Sequence, residues 1–277
     1  MFRPSRKFLV LAALLGLPLL VNYLATAPVG RFADIGETTR GIIQAEQANL
    51  DRDGKPEIIR LSVEANDYRV LENVRLEIQS STGTLTIPID AQGYAAASLS
   101  LVPLAGELGT GVFVTFTTGE SADATDLYGF LFRQGEYHTL FSPKHYLKST
   151  EFELRYVGER QVVFRDLTTG LEATLNLAEY PNYAELTEAE LIRAYNLQRT
   201  WAVGPYSGFS WANLTGDERV EIIGSRQVSG LSKADLIGTV QDYYRLEGEK
   251  YQPYAQAFFG RGGEELAGQT ITAAKER

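Results

Sequence analysis

The chain has 277 residues, 44% of them apolar, enough to bury one large core or two small ones. It has no cysteine, which excludes disulfides, zinc–thiolate sites, cysteine nucleophiles and lipid-modified cysteine anchors. The formal charge is −9, and Arg3, Arg6 and Lys7 stand without any acid in the first 27 residues. That leaves 23 of the 26 basic residues against 35 acidic ones, a net of −12, on a surface that repels nucleic acid and accepts divalent cations.

The basic cluster runs into an apolar stretch from Phe8 to Ala25, the layout of a secretory signal or an N-terminal membrane anchor. Ala25-Thr26-Ala27 has the small-x-small form of a cleavage site, but Pro28 directly after it hinders processing. The span from Phe8 to Ala27 has about the length that crosses a bilayer. Residues 1–27 are thus expected to be a hydrophobic helix serving as signal peptide or anchor, with the remainder extracytoplasmic: secreted, or held to the membrane through residues 8–27. Residues 28–40 lack periodicity and read as a linker.

From 41 to 263 the pattern is of short β-like runs separated by turn residues. The runs are Ile58–Val63, Val74–Ile78, Leu85–Ile89, Val112–Phe116, Tyr128–Phe132, Phe152–Val157, Val162–Phe164, Ala173–Leu177, Val220–Ile223, Tyr243–Leu246 and Tyr254–Phe259. One helix is expected. Thr187 is its N-cap, Glu190 completes a capping box, Leu186 and Leu191 form a staple, and it runs to about Leu197 with Leu191, Ile192 and Tyr195 buried. Residues 264–277 read as a flexible tail.

The most informative stretch is Asn49-Leu50-Asp51-Arg52-Asp53-Gly54-Lys55-Pro56-Glu57-Ile58-Ile59. Calcium takes six to eight oxygens in a flexible cage. Asn49, Asp51 and Asp53 offer oxygens from alternate positions, Gly54 permits the sharp turn, the Lys55 carbonyl can turn inward, and Glu57 closes the loop at the start of a strand. A second copy, Asn213-Leu214-Thr215-Gly216-Asp217-Glu218-Arg219-Val220-Glu221-Ile222-Ile223, begins 164 residues later and keeps Asn213, Asp217 and Glu221 but has Thr215 for Asp51. With one carboxylate fewer, it is expected to hold calcium more weakly or only to shape the turn. Fainter turn-then-strand copies start at Pro103 and around Gly158, giving a period of about 55 residues. Such a period suits an all-β, propeller-like array of small antiparallel sheets, with an irregular β-sandwich as the alternative.

These two loops resemble those of FG-GAP/VCBS-type repeats, found in integrin-like β-propellers and many exported bacterial proteins. The resemblance implies calcium bound in loops between blade strands and a role in binding proteins or ligands. Glu57 and Glu221 close the loops where that family usually has Asp, and Glu218 stands where it usually has Gly.

Motifs for catalysis are lacking. The two histidines, His138 and His145, form no metalloprotease pattern, and neither a nucleophile elbow nor a phosphate-binding glycine loop occurs. Gly119-Glu120-Ser121 and Ser207-Gly208-Phe209-Ser210 read as flexible turns. The aromatic group Trp201, Tyr206, Phe209 and Trp211 suits core packing, with a sugar- or peptide-binding platform as the alternative. The expectation is a non-enzymatic domain binding a protein or glycan at the cell envelope, the alternative being a carbohydrate-active hydrolase with unidentified carboxylates.

Overall fold

The computed structural model describes residues 39–271 except 66–69, 92, 105, 119–123, 148–150, 196–201 and 218. The hydrophobic segment, Trp201 and the Gly119-Glu120-Ser121 turn lie outside the described residues. Among those described, no helix is long and apolar enough to cross a membrane.

The chain is all-β with four antiparallel sheets, and in each one strands adjacent in sequence are adjacent in the sheet. Sheet I holds β1 (Thr39–Ala48), β2 (Glu57–Ala65), β3 (Leu71–Ser80) and β4 (Gly83–Pro88). Sheet II holds β5 (Ala96–Pro103), β6 (Thr110–Thr117), β7 (Thr125–Arg133) and β8 (Glu136–Phe141). Sheet III has β9 (Phe152–Gly158), β10 (Gln161–Asp166) and β11 (Glu172–Asn176). Sheet IV has β12 (Val203–Ala212), β13 (Glu221–Ser229), β14 (Leu236–Glu247), β15 (Lys250–Gly260) and β16 (Glu265–Thr270). The four stretches of the 55-residue period, at 49, 103, 158 and 213, all fall at the link between the first and second strand of a sheet.

Alternation sets the faces of sheet I. Leu71, Val74, Leu76 and Ile78 of β3 are buried while Arg75 and Glu77 turn away. They pack with Ile59, Leu61 and Val63 against one face of sheet II, made of Leu99, Val112, Val114, Phe116, Phe130 and Phe132. The other face of sheet II, with Phe113, Leu127, Leu131 and Phe141, packs on Ile222, Tyr244, Leu246 and Tyr251 of sheet IV. Sheet II is therefore buried on both sides, which is why β6 and β7 read as continuous apolar runs. The Phe113 ring lies so close over Gly129 that a methyl group there would come within 2.4 Å of it.

The principal contacts run from I to II, II to IV and IV to III, out of chain order. Sheet III and the helix α1 (Glu188–Tyr195) close over Val228, Val240 and Phe258 at the other end of sheet IV. The capping box forms as expected. Thr187 N donates to Glu190 Oε2 at 2.8 Å and Glu190 N donates to Thr187 Oγ1 at 3.3 Å. Leu191 and Tyr195 are buried, but Ile192 is 43% exposed, because it follows Leu191 by one 100° step and shares the face of Glu188. The helical end near Leu197 lies outside the described residues.

Three further expectations are corrected. Residues 265–270 are not a free tail but β16, paired with β15 from Ala255↔Thr270 to Phe259↔Glu265. Small residues there, Ala267 and Gly268, leave almost no apolar signal in the sequence. Ser207-Gly208-Phe209-Ser210 is not a turn but the middle of β12, where the pairing shifts register on either side of Tyr206. The linker gives way to strand at Thr39, two residues before the expected boundary.

A buried polar belt crosses sheet IV between its two apolar ends. Arg226 Nη2 lies 2.8 Å from Asp242 Oδ2. Asp242 also accepts from Tyr206 Oη at 2.5 Å and Gln256 Nε2 at 2.8 Å, and the same Gln256 amide reaches Asp166 of sheet III at 3.0 Å. Thr169 Oγ1 donates to Gln256 Oε1 at 2.6 Å, and Asp166 Oδ1 accepts the backbone N–H groups of Thr168 and Thr169. Burial pushes the Asp242 carboxyl up, against the opposing pull of Arg226, Tyr206 and Gln256. Removing one partner from such a pair strands the other charge. Arg226→Met is expected to lower the unfolding free energy by about 3–5 kcal/mol in urea denaturation, with Arg226→Met/Asp242→Leu recovering part of the loss; a single-variant loss below about 1 kcal/mol would show the pair to be dispensable.

Candidate metal centre

The first loop joins β1 to β2 at one end of sheet I. Its geometry is set by side chains folding back on their own backbone, as short Asx turns do. Asp51 Oδ1 accepts Asp53 N at 3.1 Å, and Asp53 Oδ1 accepts Lys55 N at 2.7 Å. Arg52 and Gly54 take left-handed backbone, with φ of 62° and 87°. Leu50 is fully buried and anchors the loop in the core shared by sheets I and II.

The fold brings three of the five expected ligands into one cluster. Oxygens of Asp51, Asp53 and Glu57 all lie within 4.8 Å of one another. Glu57 is buried, and its Oε2 accepts the N–H of Leu50 at 2.8 Å. Its carboxyl is held above the ordinary value by burial first and by the charges of Asp51 and Asp53 as well, the Leu50 N–H opposing them. Asn49 contributes a second, independent sign of a ligand: its Oδ1 is enclosed and has no hydrogen-bond partner. A buried acceptor without a donor costs about 1–3 kcal/mol, and a cation removes both that cost and the carboxylate repulsion. Lys55 enters through its backbone N–H, with its side chain exposed. The oxygen-only donor set is what calcium takes.

The second loop joins β12 to β13 and repeats the first atom for atom in part. Leu214 N donates to Glu221 Oε2 at 2.9 Å, the counterpart of Leu50 and Glu57. Gly216, at the position of Arg52, has a φ of 70°. The interior differs. Thr215 Oγ1 lies 2.7 Å from Asp217 Oδ1 and 3.1 Å from Glu221 Oε1, Asn213 Oδ1 accepts Gly216 N at 2.7 Å, and Arg219 pairs with Asp217 at 3.8 Å. Those bonds hold Asp217 below its usual value, the Thr215 hydroxyl foremost. Asn213 is thus taken up by the Gly216 backbone, Asp217 and Glu221 share the one Thr215 hydroxyl, and that hydroxyl stands where the first loop has Asp51.

The sequence gives no hint of how the first loop is buttressed from the next sheet. Leu50 O accepts Thr110 N at 3.1 Å, Arg52 Nη1 donates to Gly106 O, and a methyl at Gly109 would lie 2.1 Å from Leu50 O. The link between β5 and β6, the faint repeat at Pro103, is therefore the floor on which the acidic loop rests. Only the glycine at 109, with φ of 86°, marks this in the chain.

The other candidates resolve as structural. His138 lies on β8 opposite Leu131 and meets Glu249 at 3.5 Å. Tyr206 is buried in the polar belt, and Phe209 and Trp211 pack on Phe141 and Phe113 at 6.0 and 5.7 Å, so these three form core and no open platform.

Together these features define a four-sheet all-β protein with one acidic, cation-suited loop. Residues 150–259 match the model of the family described as the YybI C-terminal domain, a segment that takes in sheet III, α1 and most of sheet IV. No curated protein and no solved structure matches the chain. The acidic loop lies outside the matched segment, and its Thr215-containing counterpart lies within it.

Calcium is expected to raise the melting temperature, since a ligand at 100 times its Kd stabilises the folded state by about 2.7 kcal/mol. Asp51→Ala/Asp53→Ala should abolish that gain, while Asp217→Ala should leave it; equal melts in calcium and in chelator would remove the metal reading. The raised Glu57 carboxyl has a sign that can be checked. Its contribution to calcium-free stability is present below the unfolded value and lost as pH rises through the folded one. Glu57→Gln should therefore raise the calcium-free melting temperature at pH 7 while eliminating the response to calcium; a lowered calcium-free melt would contradict it.

Proposed function

We propose that the protein is an extracytoplasmic β-repeat domain of FG-GAP/VCBS-like kind, whose first loop is stiffened by calcium and whose sheets form a binding scaffold at the cell envelope. Its four sheets are blade-like units in an open array, with the repeat positions falling at the first hairpin of each. The observation that carries this reading is the cluster of Asp51, Asp53 and Glu57 beside the partnerless Asn49 Oδ1, at the hairpin position expected from the repeat.

Three features support the rest. Arg3, Arg6 and Lys7 ahead of Phe8 to Ala25 favour export, with the segment either cleaved or kept as an anchor. Calcium at millimolar levels outside the cell suits a loop with few carboxylates. The carboxylates of the polar belt, Asp166 and Asp242, are fully buried and engaged by Gln256, which favours a non-enzymatic scaffold over a hydrolase.

The test is fractionation of cells expressing the full chain, followed by external protease. The protein should sediment with membranes or appear in the medium, and protease added to wall-stripped cells should degrade the β domain. Recovery in the cytosol, protected from protease until lysis, would overturn the proposal. Turnover of a glycan or ester panel that a single carboxylate substitution removes would favour the hydrolase instead.

A further inference from the structure

Where the end of sheet I, sheet II and the β14–β15 hairpin of sheet IV converge, they enclose a cleft of about 440 Å³. That volume is within the usual range of small-ligand sites. It is lined by Ile87 to Asp90 at the end of β4, by the rings of Tyr128, Phe130 and Tyr137, and by Lys144, His145 and Lys250. The cleft is distinct from the acidic loop. The loop lies where β1 meets β2, whereas Pro88 ends a strand that starts at that level and runs away from it to the level of Arg75 and Ser62.

Three observations indicate its ligand. First, the charge is inverted: a chain with a net of −9 places two lysines and a histidine around one opening, with Asp90 as the acid among its lining residues. Second, the lysines are uncompensated. Among the described residues neither Lys144 nor Lys250 has a carboxylate within ion-pair distance, while the neighbouring Glu249 is turned to Arg133 and His138 at 3.9 and 3.5 Å. Both lysines lie near enough to hold the His145 imidazole below its ordinary pKa, adding to the larger effect of burial. Third, the ring faces are fixed before any ligand arrives. Tyr137 sits edge-on to Phe130 at 6.0 Å, Tyr128 edge-on to Phe116 at 5.6 Å, and Tyr128 Oη donates to Asp90 O at 2.8 Å. His145 is likewise held, with Nδ1 3.0 Å from Ser142 Oγ and its ring stacked on Phe141.

We propose that this cleft binds a small ligand with an anionic group, carboxylate or phosphate, on a flat ring. Lys144 and Lys250 take the anion, and Tyr128 and Tyr137 take the ring. The net negative charge of the chain repels such a ligand elsewhere, so specificity arises where two unpaired lysines stand beside fixed aromatic rings. Walls from three sheets mean that an occupant would also bridge I, II and IV. The site does not depend on the metal.

The experiment is saturation-transfer NMR on the full chain in detergent and chelator, with phenyl phosphate as the probe. Phenethylamine is the comparator observed directly, and inorganic phosphate, which has no carbon-bound proton, is measured as a competitor that displaces phenyl phosphate. Saturable binding of phenyl phosphate is expected, with phenethylamine and inorganic phosphate each at least tenfold weaker. Lys144→Glu/Lys250→Glu should weaken phenyl phosphate at least tenfold and Tyr137→Ala severalfold. Lys233→Glu, on the exposed β13–β14 turn, should change nothing. All four positions are exposed, so an unchanged melting temperature certifies the fold. Absence of saturable binding, equal binding of phenethylamine, or an unaltered double variant would overturn the proposal. Because chelator is present throughout, the result is independent of whether the acidic loop binds calcium.

Discussion

The pairing of Arg226 with Asp242 inside sheet IV is the constraint on which the rest of the fold depends. Sheet IV offers one face to two neighbours, and the polar belt divides that face into an end for sheet II and an end for sheet III. Both ends must form around the same few groups. Gln256 links the belt to Asp166 and so to sheet III, while Tyr244 accepts the N–H of Leu147 at 3.0 Å and pins the segment leaving sheet II. A buried carboxylate of this kind contributes little net stability, but it allows few alternative registers, because each slipped register would leave a charge unpaired. The contact order of the sheets follows from it: III does not sit on II, its neighbour in sequence, because the groups that complete Asp166 are on IV.

Much of the fold can be read in the chain where burial is two-sided or strictly alternating. β2, β3, β6, β7, β10 and β14 declare themselves through apolar runs or period-two patterns. The strands that escape notice are β1, β5, β8, β12 and β16, and every one of them is a sheet edge. Edge strands bury less and carry more polar or small residues, as in Gln44, Glu46 and Gln47 of β1 or Ala267 and Gly268 of β16, so periodicity fades where it has least to do. Gln44 shows what replaces it. Its amide exchanges two hydrogen bonds with the backbone of Leu99, at 2.9 and 2.8 Å, and so joins sheet I to sheet II through a side chain.

The acidic loop was legible in better detail, since its ligands are local: Asn49 through Glu57 span nine residues, and turn chemistry alone places them. What no local pattern could reveal is the support beneath it from Gly106, Gly109 and Thr110, about 55 residues away. The period connects the two halves of this statement. It places the stretch at Pro103 at the same hairpin position as the acidic loop, without most of the oxygen side chains, and in the structure this stretch is the surface on which the acidic loop rests. The cleft beside Lys144 and Lys250 had no signal at all, because its lysines are over 100 residues apart and neither belongs to a motif.

Three carboxylates near the core, Glu57, Glu221 and Asp242, pose one physical problem and meet it in three ways. Asp242 has a guanidinium from its own chain. Glu221 has the Leu214 N–H and a Thr215 hydroxyl that it shares with Asp217. Glu57 has the Leu50 N–H but faces Asp51 and Asp53, a repulsion that the proposed cation would relieve. The first two solutions are written into the sequence and hold in any compartment. On the proposal that calcium fills the first loop, the third solution ties the firmness of the end where sheets I and II share Leu50 to the ion. Sheets III and IV hold both internal solutions, and the segment that matches a known family lies there. The loop proposed to take calcium lies outside that segment.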